Sequence, residues 1–431
     1  MFIPEIETKS KEEIKRFQEG KLSEVLEYLQ AHSLFYQDMF KKHHIDISKI
    51  KTLEDLTKIP VTTKDDLQKR NKDFLCVDEV EIIDYLTTSG TLGEPVVFAM
   101  TNDDLERLAY NEYISFSCAG AEKSDIFQLM VTIDRLFMAG MAYYSGIRKL
   151  GAGIIRVGPG NPELQFETIR RISPTALITV PSFIIKLIEY AEQNNIDLSK
   201  TSIKKAVCIG EPIRNENWEL NTLGQQIKNK WDIKLFSTYA STEMGTAFTE
   251  CEYGMGGHHH PEMIIVEVLD ENNQPVKEGE HGEVTITNIG VKGMPLLRFK
   301  TGDICTYHTE PCKCGRNTMR LGPVIGRKQQ MIKYKGTTLY PQALYDILND
   351  IEEVKNYVIE VSTNAIGTDD LVVHIGSSVV NSKLEKKIKD FFRAKIRVAP
   401  AIVIQTPATI EKMQFPATGR KAITFIDNRK K

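Results

Sequence analysis

From about residue 80 to 240, short apolar runs alternate with amphipathic stretches, and no other feature constrains the fold of this chain as much. The runs from Ile126 to Val131, Gly153 to Val157, Ala176 to Val180 and Lys205 to Ile209 each read as a strand. Continuous apolar strands separated by helical segments point to an α/β core whose sheet is covered on both faces. Upstream, residues 10 to about 45 read as helical, because Leu22, Val25, Leu26 and Leu29 share one face. Thr63 reads as the cap of a helix with Asp65 and Asp66 in its first turn. Residues 262 to 305 read as β-rich.

A chain of 431 residues is long for one core, and a boundary falls near Gly326–Arg327. The expected fold is therefore a large multi-layer α/β N-terminal domain (1–326) and a small α+β C-terminal lid domain (327–431). The second domain reads as a strand and loop over 331–341, a helix from Gln342, strands at 357–361 and 371–376, a helix from Ser382 and a strand at 401–404. Gly151-Ala152-Gly153 imitates the start of a dinucleotide fingerprint, but the order is helix then strand, and that motif needs strand then helix.

A net charge of −3 gives no electrostatic case for nucleic acid or an anionic membrane as partner. No run of about 18 apolar residues and no basic-then-apolar leader is present, so a cytoplasmic protein is expected. Seven cysteines in so long a chain, an odd count, do not form a disulfide framework.

Five motifs carry chemistry, in fixed order. Tyr85-Leu86-Thr87-Thr88-Ser89-Gly90-Thr91-Leu92-Gly93-Glu94-Pro95 joins hydroxyls to a glycine-rich turn, a combination suited to phosphates, although the Lys-Ser/Thr pair of the P-loop is missing. Tyr239-Ala240-Ser241-Thr242-Glu243 offers an aromatic ring, hydroxyls and a carboxylate. Asp303 follows Gly302, where it could accept both hydroxyls of a ribose. Gly326-Arg327-Lys328-Gln329-Gln330 opens the second domain, and Pro416-Ala417-Thr418-Gly419-Arg420-Lys421 lies in a polar turn near the C-terminus.

This ordered set resembles the adenylate-forming superfamily of acyl-CoA synthetases, and within it the phenylacetate–CoA ligase group. Ile59-Pro60-Val61-Thr62-Thr63-Lys64, Gly210-Glu211-Pro212 and the ending Lys421-Ala422-Ile423-Thr424-Phe425-Ile426-Asp427 favour that group. The resemblance implies an AMP-forming ligase: a small carboxylic acid attacks the α-phosphate of ATP, and coenzyme A then displaces AMP. It implies that Thr88, Ser89, Gly90, Thr91 and Gly93 cradle the β- and γ-phosphates. Tyr239 with Gly210, Glu211 and Pro212 would line the adenine slot, and Asp303 and Arg327 would hold the ribose. Thr242 would meet the α-phosphate, Glu243 would ligate Mg²⁺, and Lys421 would bridge the acid's carboxylate and the α-phosphate. The lid would turn about Gln329. A homodimer is compatible with the resemblance. The stretch Ile133-Asp134-Arg135-Leu136-Phe137 lacks the glycine- and tyrosine-rich run that lines the aryl pocket of phenylacetate-specific members, so the acid stays open.

Cys312-Lys313-Cys314 is a tight thiol pair, and Cys251 lies seven residues before His258. Three thiols and an imidazole make a full tetrahedral set for zinc, with no position left for water. Reduced structural cysteines beside a histidine-rich loop are the other reading of the same residues. Some relatives of the group carry such residues at matching positions, which implies a structural zinc in the β-rich segment at about 245–320. His259 and His260 would lie around that site or be exposed. Two alternatives to the acid–CoA ligase stand: an adenylating enzyme with another acceptor, a deazaflavin coenzyme or a protein, and a non-catalytic zinc-containing binding protein.

Overall fold

The computed structural model describes residues 2–88, 96–335, 337–364, 369–415 and 423–429. The chain divides into two compact units, Met1–Thr301 with Cys305–Val324, and Gly302–Ile304 with Ile325–Lys431.

In the first unit, five strands lie parallel in the order Gly153–Arg156, Ile126–Leu129, Ala176–Thr179, Lys205–Ile209, Lys234–Ser241. Helices Met138–Leu150, Pro162–Ile172, Pro181–Gln193 and Thr222–Lys230 make the crossovers that parallel pairing requires. Successive residues of one strand feed different cores. Ala176 and Ile178 pack with Phe116, Phe127 and Tyr143, whereas Leu177 packs with Ile184, Leu187 and Trp231. That two-sided burial is why these strands read as unbroken apolar runs. The helix Met138–Leu150 ends at Gly151, in left-handed conformation (φ 79°), and strand Gly153–Arg156 follows; the order is helix then strand, as the sequence indicates.

Beyond Lys234–Ser241 the sheet continues with antiparallel pairing, through Thr246–Thr249, Gly257–His258, Arg320–Leu321 and Tyr307–His308. A second group of strands, Ile264–Leu269, Gly282–Asn288 and Phe299–Cys305, forms the β-rich region. Its sheet is held by Arg298, a residue buried at 1% exposure. Arg298 donates through Nε and Nη2 to the Glu267 carboxylate and through Nη1 to Ile59 O at 2.6 Å.

The N-terminal helical stretch is two helices, Lys11–His32 and Leu34–Lys42. Ser33 ends the first and caps the second, its Oγ accepting from Tyr36 N and donating to Asp73 O. Thr63 caps Lys64–Lys69 in a reciprocal box with Asp66.

The second unit contains the hairpin Ile332–Tyr334 and Thr337–Leu339, helices Pro341–Asn349 and Ser382–Ile396, and a four-stranded sheet. Its strand order is Ala401–Gln405, Asp369–Gly376, Asn356–Thr363, Phe425–Asp427. The helix Pro407–Gln414 and the strand Phe425–Asp427 are additions to the sequence-based expectation.

Replacing Arg298 by Met should destabilise the first unit by about 3–5 kcal/mol, because Glu267, whose carboxyl burial already pushes upward, would lose its counter-charge. Urea unfolding checks this; a loss well under ~1 kcal/mol would mean the pair is not the support inferred here.

Candidate active site and thiol–imidazole cluster

Ligands of open α/β sheets bind outside the C-terminal ends of the parallel strands. Two of the expected site segments lie at that edge, on neighbouring strands. Ile209 is in register with Thr238, so Gly210 follows on one strand where Tyr239 follows on the other. Gly210 has φ 76°, a conformation that disfavours any side chain. Pro212 O accepts from Asn221 Nδ2 at 2.9 Å. The Glu211 carboxylate accepts from Ser182 N and Oγ, each at 2.9 Å, and so covers the N-terminus of helix Pro181–Gln193. Its side chain ties the turn to that helix.

Tyr239 is half-buried and stacks on Phe248 with ring centroids 6.0 Å apart. After Ser241 the chain reverses through Thr242, Glu243, Met244 and Gly245 (φ 52°) into the antiparallel strand Thr246–Thr249. Met244 N donates to Ser241 Oγ at 3.3 Å, and Gly245 N to Ser241 O at 3.3 Å. Thr242 and Glu243 are half-buried and line a small cavity with Met100, Met138 and Met294 and with the polar side chains of Asp104, Arg107 and Asn288.

Thr88 closes the described end of the glycine turn. Its N donates to Val96 O at 3.0 Å, and its Oγ1 accepts from Val96 N at 3.1 Å. Ser89, Gly90, Thr91, Gly93 and Lys421 lie outside the described residues. In the second unit, Asp303 and Arg327 face each other across an antiparallel pair, and Arg327 Nε donates to Asp303 Oδ1 at 3.1 Å. The guanidinium partner orients the carboxylate, with Asp303 the more buried of the two.

Cys251, His258, Cys312 and Cys314 come together, with one ligand atom from each within 4.8 Å of all the others. The hairpin register Thr249↔His258 brings the first two close, and Cys312 and Cys314 lie in a turn closed by Gly315 N to Cys312 O at 3.0 Å. Cys251 Sγ lies 3.6 Å from Cys312 Sγ, and Cys314 Sγ 3.5 Å from His258 Nε2. Hydrogen bonds from the Cys251 and Cys312 thiols hold Cys314 well below the ordinary thiol range, toward thiolate. Burial lowers the His258 pKa, favouring the neutral imidazole. Its Nδ1 lies 3.3 Å from Thr318 Oγ1, which leaves Nε2 as the ligand atom. The donor set and its compactness fit a tetrahedral zinc ion.

His259 and His260 are both buried, which corrects the exposed alternative for them. His259 Nε2 is paired with Ile264 O at 2.6 Å. His260 Nδ1 meets the Glu7 carboxylate at 2.5 Å, and its Nε2 lies 3.3 Å from Ser115 Oγ. Glu7 also accepts from Arg316 Nε at 2.6 Å, and Arg316 Nη1 donates to Cys314 Sγ at 3.5 Å. Sequence reasoning missed Glu7 and Arg316, because 309 residues separate them and no local pattern links them.

With this geometry in place, comparison with known proteins assigns the family. A family model described as AMP-binding enzyme matches residues 15–293. The chain belongs to the AMP-binding enzymes. Its phenylacetate–CoA ligase-like character, expected from the motifs, is borne out by similarity to curated relatives, and it is an AMP-forming ligase. The phenylacetate–coenzyme A ligase of Thermus thermophilus is 29% identical over 359 residues, covering 82% of this chain and 79% of that one. The phenylacetate–coenzyme A ligase of Escherichia coli K12 is 25% identical over 438 residues, covering 98% and 97%. Among solved structures, a 2-hydroxyisobutyryl-CoA ligase in its postadenylation state matches with TM-score 0.86 at 22% identity, covering 99% of this chain and 94% of that one. That similarity bears out the α/β fold of this AMP-binding enzyme. Among its described residues, no helix is long and apolar enough to cross a membrane.

Proposed function

We propose that this ligase activates a small aromatic, phenylacetate-like carboxylate with ATP and passes the acyl group to coenzyme A. The observation that carries the nucleotide site is the adjacency of Gly210–Pro212 and Tyr239–Glu243 at the C-terminal edge of neighbouring parallel strands, and the similarity to phenylacetate–coenzyme A ligases supports the acid and the acceptor. In this reading Tyr239 and the Gly210 turn take the adenine, Thr242 meets the α-phosphate, and Asp303 with Arg327 takes the ribose. Thr88, Ser89, Gly90, Thr91 and Gly93 hold the departing pyrophosphate. Glu243 is assigned the ligand role toward Mg²⁺, which offsets charge on the pentavalent transition state when bound. Lys421 brings two anions together, the acid's carboxylate and the α-phosphate, a task suited to a compact ammonium.

One arrangement could hardly hold Lys421 at the α-phosphate and also admit the pantetheine thiol to the same carbonyl. The C-terminal unit is therefore assigned the role of a lid turning about Gln329 between half-reactions.

Lys421→Ala should lower acyl-adenylate formation by about 10² to 10³, while thioester formation from a supplied acyl-adenylate stays largely intact. Pyrophosphate release over a panel of acids, including phenylacetate and 2-hydroxyisobutyrate, with and without coenzyme A, measures adenylation, and AMP release from supplied acyl-adenylate with coenzyme A measures thioester formation. Equal loss of the two half-reactions would contradict the assignment. Pyrophosphate release that never leads to a CoA thioester would point to another acceptor.

For Cys251, His258, Cys312 and Cys314 we propose a structural zinc, with no open position for substrate. Purified protein should carry about one zinc per chain, and Cys312→Ser should lower thermal stability more than it lowers turnover of the folded fraction. Elemental analysis finding no transition metal in protein made without chelators would overturn this.

A further inference from the structure

The helix Asn102–Cys118 presses polar side chains against the strand Thr246–Thr249, where an apolar stripe would be expected. Arg107, Asn111 and Cys118 fall on one helix face by their spacing of four and seven. Cys118 Sγ donates to Thr249 O at 3.3 Å, and Asn111 Oδ1 accepts from Ala247 N at 3.1 Å. Arg107 reaches the turn that precedes the strand. Its Nη1 donates to Gly245 O at 2.8 Å, and its Nη2 to Met263 O at 2.5 Å and Thr246 Oγ1 at 3.4 Å. Its Nε donates to Ile289 O at 2.7 Å.

A second side chain holds the same turn. Asn288 Nδ2 donates to Met244 O at 2.8 Å, while its Oδ1 accepts from Leu296 N at 2.9 Å. Two successive carbonyls of the reversal, Met244 and Gly245, are thus fixed by side chains from other elements. The carboxylate one turn back, Asp104, is occupied elsewhere, accepting from Thr101 N, Lys292 N and Gly293 N. Carbonyl oxygens take most of the Arg107 hydrogen bonds, and the charge of nearby Asp104 supports the cation without bonding to it. Burial lowers its pKa to about 10, which leaves the guanidinium charged at neutral pH. Withdrawing a cation from water with no carboxylate hydrogen-bonded to it is a costly way to fill space, and a methionine would do that more cheaply. A planar fork that reaches three chain segments at once does what neither a lysine nor an apolar residue can.

We propose that Arg107 is a positioning residue for adenylation, holding the reversal so that Thr242 and Glu243 stand where the α-phosphate and its metal ion must be met, with Asn288 as the second hold. The proposal rests on the reading of Thr242 and Glu243 given above. Misplacing a reacting group by about 1 Å can cost on the order of 10² in rate even when the mutated residue never touches substrate.

The test is Arg107→Lys in the full chain, measured by acid-dependent ATP–pyrophosphate exchange across a Mg²⁺ titration. Thioester formation from supplied acyl-adenylate and the melting temperature are measured alongside, with Asn288→Ala as a second variant and Glu243→Gln as a control. The expected result is a loss of exchange of about 10²-fold with a raised Mg²⁺ requirement, while thioester formation from the adenylate is little changed. Asn288→Ala should shift the Mg²⁺ requirement in the same direction. If both half-reactions fall together with the melting temperature and the Mg²⁺ requirement is unmoved in both variants, the role is structural and the proposal is overturned. Wild-type exchange in Arg107→Lys overturns it too. If Glu243→Gln keeps full exchange with an unchanged Mg²⁺ profile, the fault lies in the underlying reading of Glu243.

Discussion

The strand Lys234–Ser241 pairs in parallel with one neighbour and antiparallel with the other, and the arrangement of the site depends on that switch. Parallel pairing with Lys205–Ile209 places its C-terminal end at the sheet edge where ligands gather. Antiparallel pairing on the other side forces the chain to reverse there, within Thr242–Gly245. The reversal keeps a hydroxyl and a carboxylate beside Tyr239 and the Gly210 turn.

The same reversal links two sites with different chemistry. Thr246–Thr249 leads away from the turn and reaches Cys251 two residues later. One end of this short segment thus carries the proposed adenylation residues, and the other carries a thiol of the four-ligand cluster. The cluster is fastened in turn by Arg316, Glu7 and His260, which tie the Cys314 loop to the N-terminal segment. Polar side chains of Asn102–Cys118 brace the strand between. Burying so many polar groups is tolerable because the named groups find partners, Arg316 Nη2 being the exception.

How much of this was legible in the sequence follows from how local each signal is. The parallel strands were legible because burial on both faces writes an unbroken apolar run. The Thr63 cap was legible because its partner, Asp66, is three residues away. The break at Ser33 was not, since the apolar spacing passes through it and the acceptor for Ser33 Oγ, Asp73 O, lies 40 residues on. The strand Phe425–Asp427 escaped because three residues pairing with a distant strand carry no periodicity. Within the site, cysteine and histidine declare their chemistry by type, so the four candidate ligands could be named from spacing and resemblance. Glu211 could be named, yet the use of its carboxylate on Ser182 could not. Arg107 gave no signal, for its partner Gly245 is 138 residues away.

The central claim is that adenine is received where Gly210 and Tyr239 lie side by side. Photolabelling of the intact enzyme with 8-azido-ATP, followed by peptide mapping, tests it most directly. The account predicts ATP-competed label on the peptides spanning residues 209–212 or 236–243. Label on other segments alone, or label in those peptides that ATP does not compete, would contradict it.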